Sequence, residues 1–134
     1  MAKLTTIEGI GDTYAKKLRD AGITTTDALL EGGAKPGGRK EIAEKSGISA
    51  KRILRWVNHC DLSRIKGVSG EYAELLEAGG VDTVPELSQR NAENLNQKLE
   101  VVNREKKLVR KLPTQSQVGD WIAQAKQLPR IVSY

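Results

Sequence analysis

The chain has no phenylalanine, one cysteine, one histidine and one methionine among its 134 residues, and its aromatic residues are only Trp56, Trp121, Tyr14, Tyr72 and Tyr134. A lone Cys60 has no partner for an internal disulfide. Cys60 with His59 supplies too few soft ligands for a zinc site, so both read as ordinary helix residues near a core edge. One histidine and one cysteine, with no carboxylate pair in a glycine-bounded pocket, leave no set of nucleophile, base and orienting group, so no enzyme is expected and no cofactor is called for. No apolar run approaches the roughly 18 residues needed to cross a bilayer. The start, Met1-Ala2-Lys3-Leu4, lacks the charged-then-apolar stretch of a secretion signal. The expectation is a cytoplasmic protein without membrane contact.

What is present is a foldable composition. Hydrophobic residues make up 38% and charged residues 29%, well away from the compositions that stay disordered. With aromatics scarce, the core has to be built from Leu, Ile, Val and Ala, which favours helices. The length allows one compact domain or two very small ones. A net charge of +5, from 22 Lys or Arg against 17 Asp or Glu, permits a polyanionic partner without demanding one.

The dominant signal is an internal repeat. A shift of 58 residues superposes 7–33 on 65–91 with eight identities: Ile7 on Ile65, Gly9 on Gly67, Tyr14 on Tyr72, Ala15 on Ala73, Leu18 on Leu76, Gly22 on Gly80, Thr25 on Thr83 and Leu29 on Leu87. A shift of 65 then places Ser49 on Thr114, Ile53 on Val118, Trp56 on Trp121 and Val57 on Ile122, so the second unit carries about seven extra residues between its halves. The expected organisation is unit one over 1–60, unit two over 61–128 and a tail over 129–134 that either docks or frays, the units forming one compact body.

No stretch sustains the alternation of a half-buried strand, and the reading is all-α. In unit one a short helix carries Tyr14, Ala15 and Leu18 and ends at Gly22. A second covers about 26–31, and Gly32, Gly33, Pro36, Gly37 and Gly38 form a loop. A third covers 39–46 and stops at Gly47, and a fourth, capped by Ser49, carries Ile53, Trp56, Val57 and Cys60 at helical spacing. In unit two Thr83-Val84-Pro85-Glu86 has the form of a capping box, Asn91 caps a long helix to about Leu112, and Thr114 to Gln117 opens a last helix through Leu128. Trp56 and Trp121 are expected as core anchors of their units, and Tyr14 and Tyr72 on the packed sides of their helices.

Ile7-Glu8-Gly9-Ile10-Gly11 places two glycines around one apolar residue ahead of a helix. Backbone N–H groups exposed in such a turn form a concave donor site for a phosphate oxygen, because nothing larger than hydrogen blocks the approach. These residues resemble the helix-hairpin-helix family (of the SAM-like all-α class), whose Gly-apolar-Gly turn binds DNA non-specifically; Ala15, Leu18 and Gly22-Ile23 follow at the family's spacing. The stretch from Ile7 to Cys60 resembles the N-terminal helical domain of the RecA-related recombinases of archaea and eukaryotes, with Gly47-Ile48-Ser49 as a second, looser turn. The tandem arrangement over nearly the whole chain resembles domain-of-unknown-function family 4332. Unit two departs from the motif, since Ser69 stands where the second glycine belongs.

Formal charge is −1 over 1–33, +5 over 34–60, −4 over 61–94 and +5 over 95–134. The resemblance and the charge together select Gly9, Ile10, Gly11, Gly47 and Ser49 as backbone donors, with Lys16, Lys17, Lys51, Arg52, Arg55, Lys107 and Lys111 as their cationic neighbours. Arg52 with Arg55, Lys51 with Arg55, Arg104 with Lys107 and Lys107 with Lys111 have the spacing of one helix face, able to span adjacent phosphates. A solvated face that keeps a small protein soluble explains the same clusters. Two functions therefore stay open. One is non-specific nucleic-acid binding, DNA favoured; the other is a protein-interaction scaffold whose partner meets the acidic face of unit two at Glu71, Glu74 and Glu77.

Overall fold

The computed structural model describes residues 2–134. Among them lie eight α-helices, one 3-10 turn and no strand, with a single isolated antiparallel bridge between Lys3 and Thr25. The all-α class follows as the missing alternation implied. The chain divides into two compact units: Met1–Asp61 with Ile131–Tyr134, and Leu62–Arg130. Each has a hydrophobic core of its own.

Unit one contains the 3-10 turn Leu4–Thr6, α1 (Asp12–Asp20), α2 (Thr26–Gly32), α3 (Pro36–Ser46) and all but the last residue of α4 (Ala50–Leu62). α1 and α2 both pack on α3. The apolar stripe of α4 buries Ile53, Trp56, Val57 and Cys60, and Ser49 caps the helix, its Oγ accepting from the Arg52 N–H at 3.2 Å. Gly47, in left-handed conformation at φ +74°, ends α3. The glycine-rich loop expected after α2 is shorter than its composition suggests. Pro36 starts α3, where its fixed φ suits a first helical position, so Gly37 and Gly38 lie inside the first turn. Gly38 is there for proximity: a Cβ on it would fall 2.0 Å from the Gly32 carbonyl oxygen. Only a residue without a side chain lets α3 approach the end of α2 so closely.

Unit two contains α5 (Gly70–Ala78), α6 (Val84–Ser88), α7 (Ala92–Lys106) and α8 (Gln115–Gln127). α8 packs on α6 and α7, and α5 on α7. The Thr114 capping box is closed in both directions, and Asn91 caps α7 by accepting from the Asn94 N–H at 3.1 Å. Two expectations fail here. Thr83 makes no capping bond; Glu86 reaches back to the Asp82 N–H at 3.3 Å instead. And α7 does not run to Leu112: Lys107 turns left-handed at φ +52°, and the Asn103 side chain brackets Val109 through both its N–H and its carbonyl, at 2.9 and 3.1 Å. That turn brings Val109 into the core of unit two. A short polar side chain bonding the backbone six residues on competes with continued helix, and here it wins.

The tail docks. Val132 is buried in the core of unit one and the Ser133 N–H donates to the Ala34 carbonyl at 2.8 Å.

Candidate nucleic-acid interface

The two glycine turns are built alike. Ile10 N–H donates to the Ile7 carbonyl at 3.1 Å and Val68 N–H to the Ile65 carbonyl at 3.2 Å, with Gly9 at φ +91° and Gly67 at φ +97° in the third position of each turn. That is the type II pattern, which demands glycine there. Ile7 and Ile10, like Ile65 and Val68, point into their cores. The apolar side chains thereby anchor the turn from below while Gly9 and Gly11 remain exposed. Beneath each turn lies a tryptophan, only 2% exposed in both units, with a tyrosine ring against it: Tyr14 to Trp56 at 5.1 Å and Tyr72 to Trp121 at 5.3 Å between centroids. Burying a side chain of this size stabilises by roughly 1.5–3 kcal/mol, so the tryptophans hold the turns in place and offer no face for base stacking.

At the next residue the units part. Ser69 caps α5, its Oγ accepting the Tyr72 N–H at 3.3 Å, and Gln124 ties the turn further by accepting from the Lys66 N–H at 2.9 Å and donating to the Lys66 carbonyl at 3.1 Å. The equivalent of Ser69 is Gly11, which makes no side-chain cap and has no atom within 4 Å of where a Cβ would sit. The helix start of α1 thus meets open space, with the positive end of its backbone dipoles aimed there.

Cations gather around Tyr14. The Arg52 guanidinium, from α4, donates to the Tyr14 hydroxyl and lies 5.0 Å from the centre of the Tyr14 ring, and Lys17 Nζ lies 5.9 Å from the same centre. Tyr14 stands in the first turn of α1, so the structure brings Arg52 and Lys17 to one side chain of the helix that follows the Gly9–Gly11 turn. Gly47, Ser49, Lys51, Arg55 and Lys16 are also exposed, the first four at or after the looser turn that opens α4 and Lys16 beside Lys17 on α1. The repeat carries none of this into unit two. Lys16 becomes Glu74, Arg19 becomes Glu77, Lys51 becomes Ser116, Arg52 becomes Gln117 and Arg55 becomes Asp120. The Tyr72 hydroxyl accordingly turns to backbone, donating to the Lys111 carbonyl at 2.9 Å.

Lys107 and Lys111 are exposed but do not share a helix face, nor does Lys107 continue the helix of Arg104, because α7 ends at Lys106. The proposed ladder of adjacent-phosphate contacts on α7 therefore falls away. In unit one the +5 segment is also less available than its sum. Lys45 pairs with Glu41 at 2.8 Å. Arg39, only 6% exposed, donates to the carbonyls of Gly33 at 2.8 Å, Ala34 at 3.2 Å and Ser133 at 2.9 Å, fastening the tail. Burial lowers the Arg39 guanidinium's proton affinity, with Tyr134 acting the other way. The two glycines before Arg39 were the only sequence sign that the backbone there comes close enough to need such a clamp. Glu8 and Asp12 flank the first turn and set two negative charges against any anion there.

Among the described residues no three His, Cys, Asp or Glu side chains come together as metal ligands, and no helix is long and apolar enough to cross a membrane. Burial, reinforced by Asp27 and Asp61, pushes the Cys60 thiol up to about 12. No curated protein and no solved structure matches the chain. Residues 8–128, covering Gly9–Gly11, Gly67–Ser69 and all of α1 to α8, match a family described as Domain of unknown function (DUF4332), and the chain belongs to that family.

Proposed function

We propose that the protein is a non-catalytic, cytoplasmic helix-hairpin-helix module that binds nucleic acid, DNA in the first place, through its phosphates and without reading sequence. The observation that carries this reading is the meeting of Arg52 with Tyr14: it sets a cation of the α4 cluster beside the first turn of α1, whose N-terminus is open at Gly11. A phosphate oxygen placed there meets backbone donors from the helix start, the Arg52 guanidinium and the Lys17 ammonium, with Lys16, Lys51 and Arg55 supplying further positive charge around it. In this reading the Gly47–Ser49 turn plays the part of the second turn in the N-terminal domain of RecA-related recombinases. Unit two, self-capped by Ser69 and acidic along α5, makes no phosphate contact in this reading.

The test is fluorescence anisotropy with labelled single- and double-stranded DNA over a salt series, comparing the native protein with a Lys51→Glu, Arg52→Glu, Arg55→Glu variant. The expected result is binding that weakens steeply with salt and is lost in the folded variant. Absence of binding at low salt overturns the reading and transfers the function to protein interaction, with the acidic helix α5 as the surface to test.

A further inference from the structure

The repeat supplies an internal control for one residue. Tyr14 and Tyr72 occupy the same place in the same fold and lean on equivalent tryptophans at 5.1 and 5.3 Å, so ring packing accounts for both rings. It does not account for their hydroxyls. Tyr72 donates to a backbone carbonyl in its own unit, whereas Tyr14 accepts from Arg52, an exposed side chain that shares the ring with a second cation, Lys17.

Resting on the phosphate-binding reading above, we propose that Tyr14 is the positioning residue of that site. Its hydroxyl and ring hold Arg52 beside the open start of α1 before any ligand arrives, and thereby make unit one and not unit two the binding unit.

Three features support it. An arginine is among the side chains with the most rotamer freedom, and binding has to restrict it; a guanidinium already fixed avoids that cost. Fixing it through the Tyr14 oxygen and ring face uses one of five N–H donors and leaves the rest for a phosphate. And the element being positioned is the one the duplication did not keep. Where unit two has Gln117 in place of Arg52, that side chain closes the Thr114 capping box, and the tyrosine hydroxyl is bonded elsewhere. The backbone N–H that Ser69 occupies in unit two belongs to Tyr72, and its equivalent is the N–H of Tyr14 itself. Residue 14 therefore presents a backbone donor and a side-chain anchor to the same corner.

The experiment compares DNA affinity of the native protein with Tyr14→Phe, Arg52→Lys, the double variant, and Tyr72→Phe as control, each checked for native folding by circular dichroism and thermal unfolding. Phenylalanine keeps the ring on Trp56 and removes only the hydroxyl; lysine keeps the charge and removes the fork. The expected result is about a threefold to tenfold loss for each single variant, no further loss in the double variant, and no loss for Tyr72→Phe. Non-additivity of this kind is the signature of two side chains acting as one, and a purely structural tyrosine does not produce it. Unchanged affinity in Tyr14→Phe, or losses that simply add, overturns the positioning role while leaving the binding function in place. If Tyr14→Phe unfolds, full native affinity in Arg52→Lys has the same effect. No binding by the native protein removes the function and the positioning role together.

Discussion

Trp121 Nε1 stands 3.0 Å from the point where a Cβ on Gly67 would lie, and Trp56 Nε1 stands 3.4 Å from the same point on Gly9. Turn and tryptophan are thus fitted to each other twice in one chain. Alanine at either glycine has to adopt a positive φ that L-residues avoid, at about 1–2 kcal/mol. At Gly67 it also presses on the indole. Gly67→Ala should therefore cost more stability than Gly9→Ala, measured by amide hydrogen exchange in each unit separately, since two cores need not unfold in one step.

Gly11 and Ser69 should respond differently to the same charge. Gly11→Asp has room for its side chain and would place a carboxylate over the open helix start of α1, so DNA affinity should fall by at least tenfold with the fold intact, about the effect of losing one charge-assisted bond. Ser69→Asp replaces one cap with another and should leave affinity unchanged. Equal losses in anisotropy would show that both turns contact the ligand.

Gly37 and Gly38 are neighbours with opposite expected signs. Nothing lies within 4 Å of a Cβ on Gly37, inside the first turn of α3, and Gly37→Ala should stabilise unit one by up to about 1 kcal/mol through helix propensity. Gly38→Ala drives a methyl into the Gly32 carbonyl and should cost about 3 kcal/mol as α3 is forced off α2. Denaturant midpoints of the two variants test this pair directly.

Arg39→Ala should release the tail. Three carbonyl oxygens lose a charged donor, and the unit-one core should lose about 2 kcal/mol, with the amide of Ser133 exchanging fast. DNA affinity should hold, because this arginine is spent inside the fold. A fall in affinity equal to that of Arg52→Lys would place Arg39 at the ligand instead.

The Cys60 thiol, raised by burial from an ordinary value of 9.0 to about 12, should resist alkylation in the native protein at pH 8 and react once the protein is unfolded. Its raised value also fixes a sign. The unfolded thiol ionises from about pH 9 while the folded one does not, so its contribution to stability is intact below pH 9 and is lost as pH rises toward about 12. Cys60→Ala should flatten the alkaline limb of the pH–stability curve.

Much of the fold was legible because it rests on local chemistry. Helical spacing of apolar residues, Ser49, Asn91 and Thr114 as caps, and the repeated Tyr, Trp and glycine positions are properties of short stretches, and the structure has each of them in place. The errors fell where a distant or medium-range partner decides. Gly37 and Gly38 read as loop because nothing local reveals that a helix needs a bare backbone against Gly32. α7 read too long because its end is set by Asn103 bonding Val109 across six residues. Charge misled in the same way: the +5 over 34–60 includes Arg39, which is buried, and the spacing of Lys107 and Lys111 implied a shared face on a helix that had already ended.

The duplication, the all-α class and the two glycine turns follow from residue type and spacing along the chain. Which turn is open and where the cations stand follow from packing between helices. Ser69 at the second turn was visible as a departure from the motif, but that Arg52 of α4 meets Tyr14 of α1, 38 positions earlier, depends on how the two helices are placed around Trp56. Spacing along a chain fixes neighbours on one helix; only the shared core brings side chains of different helices to one corner.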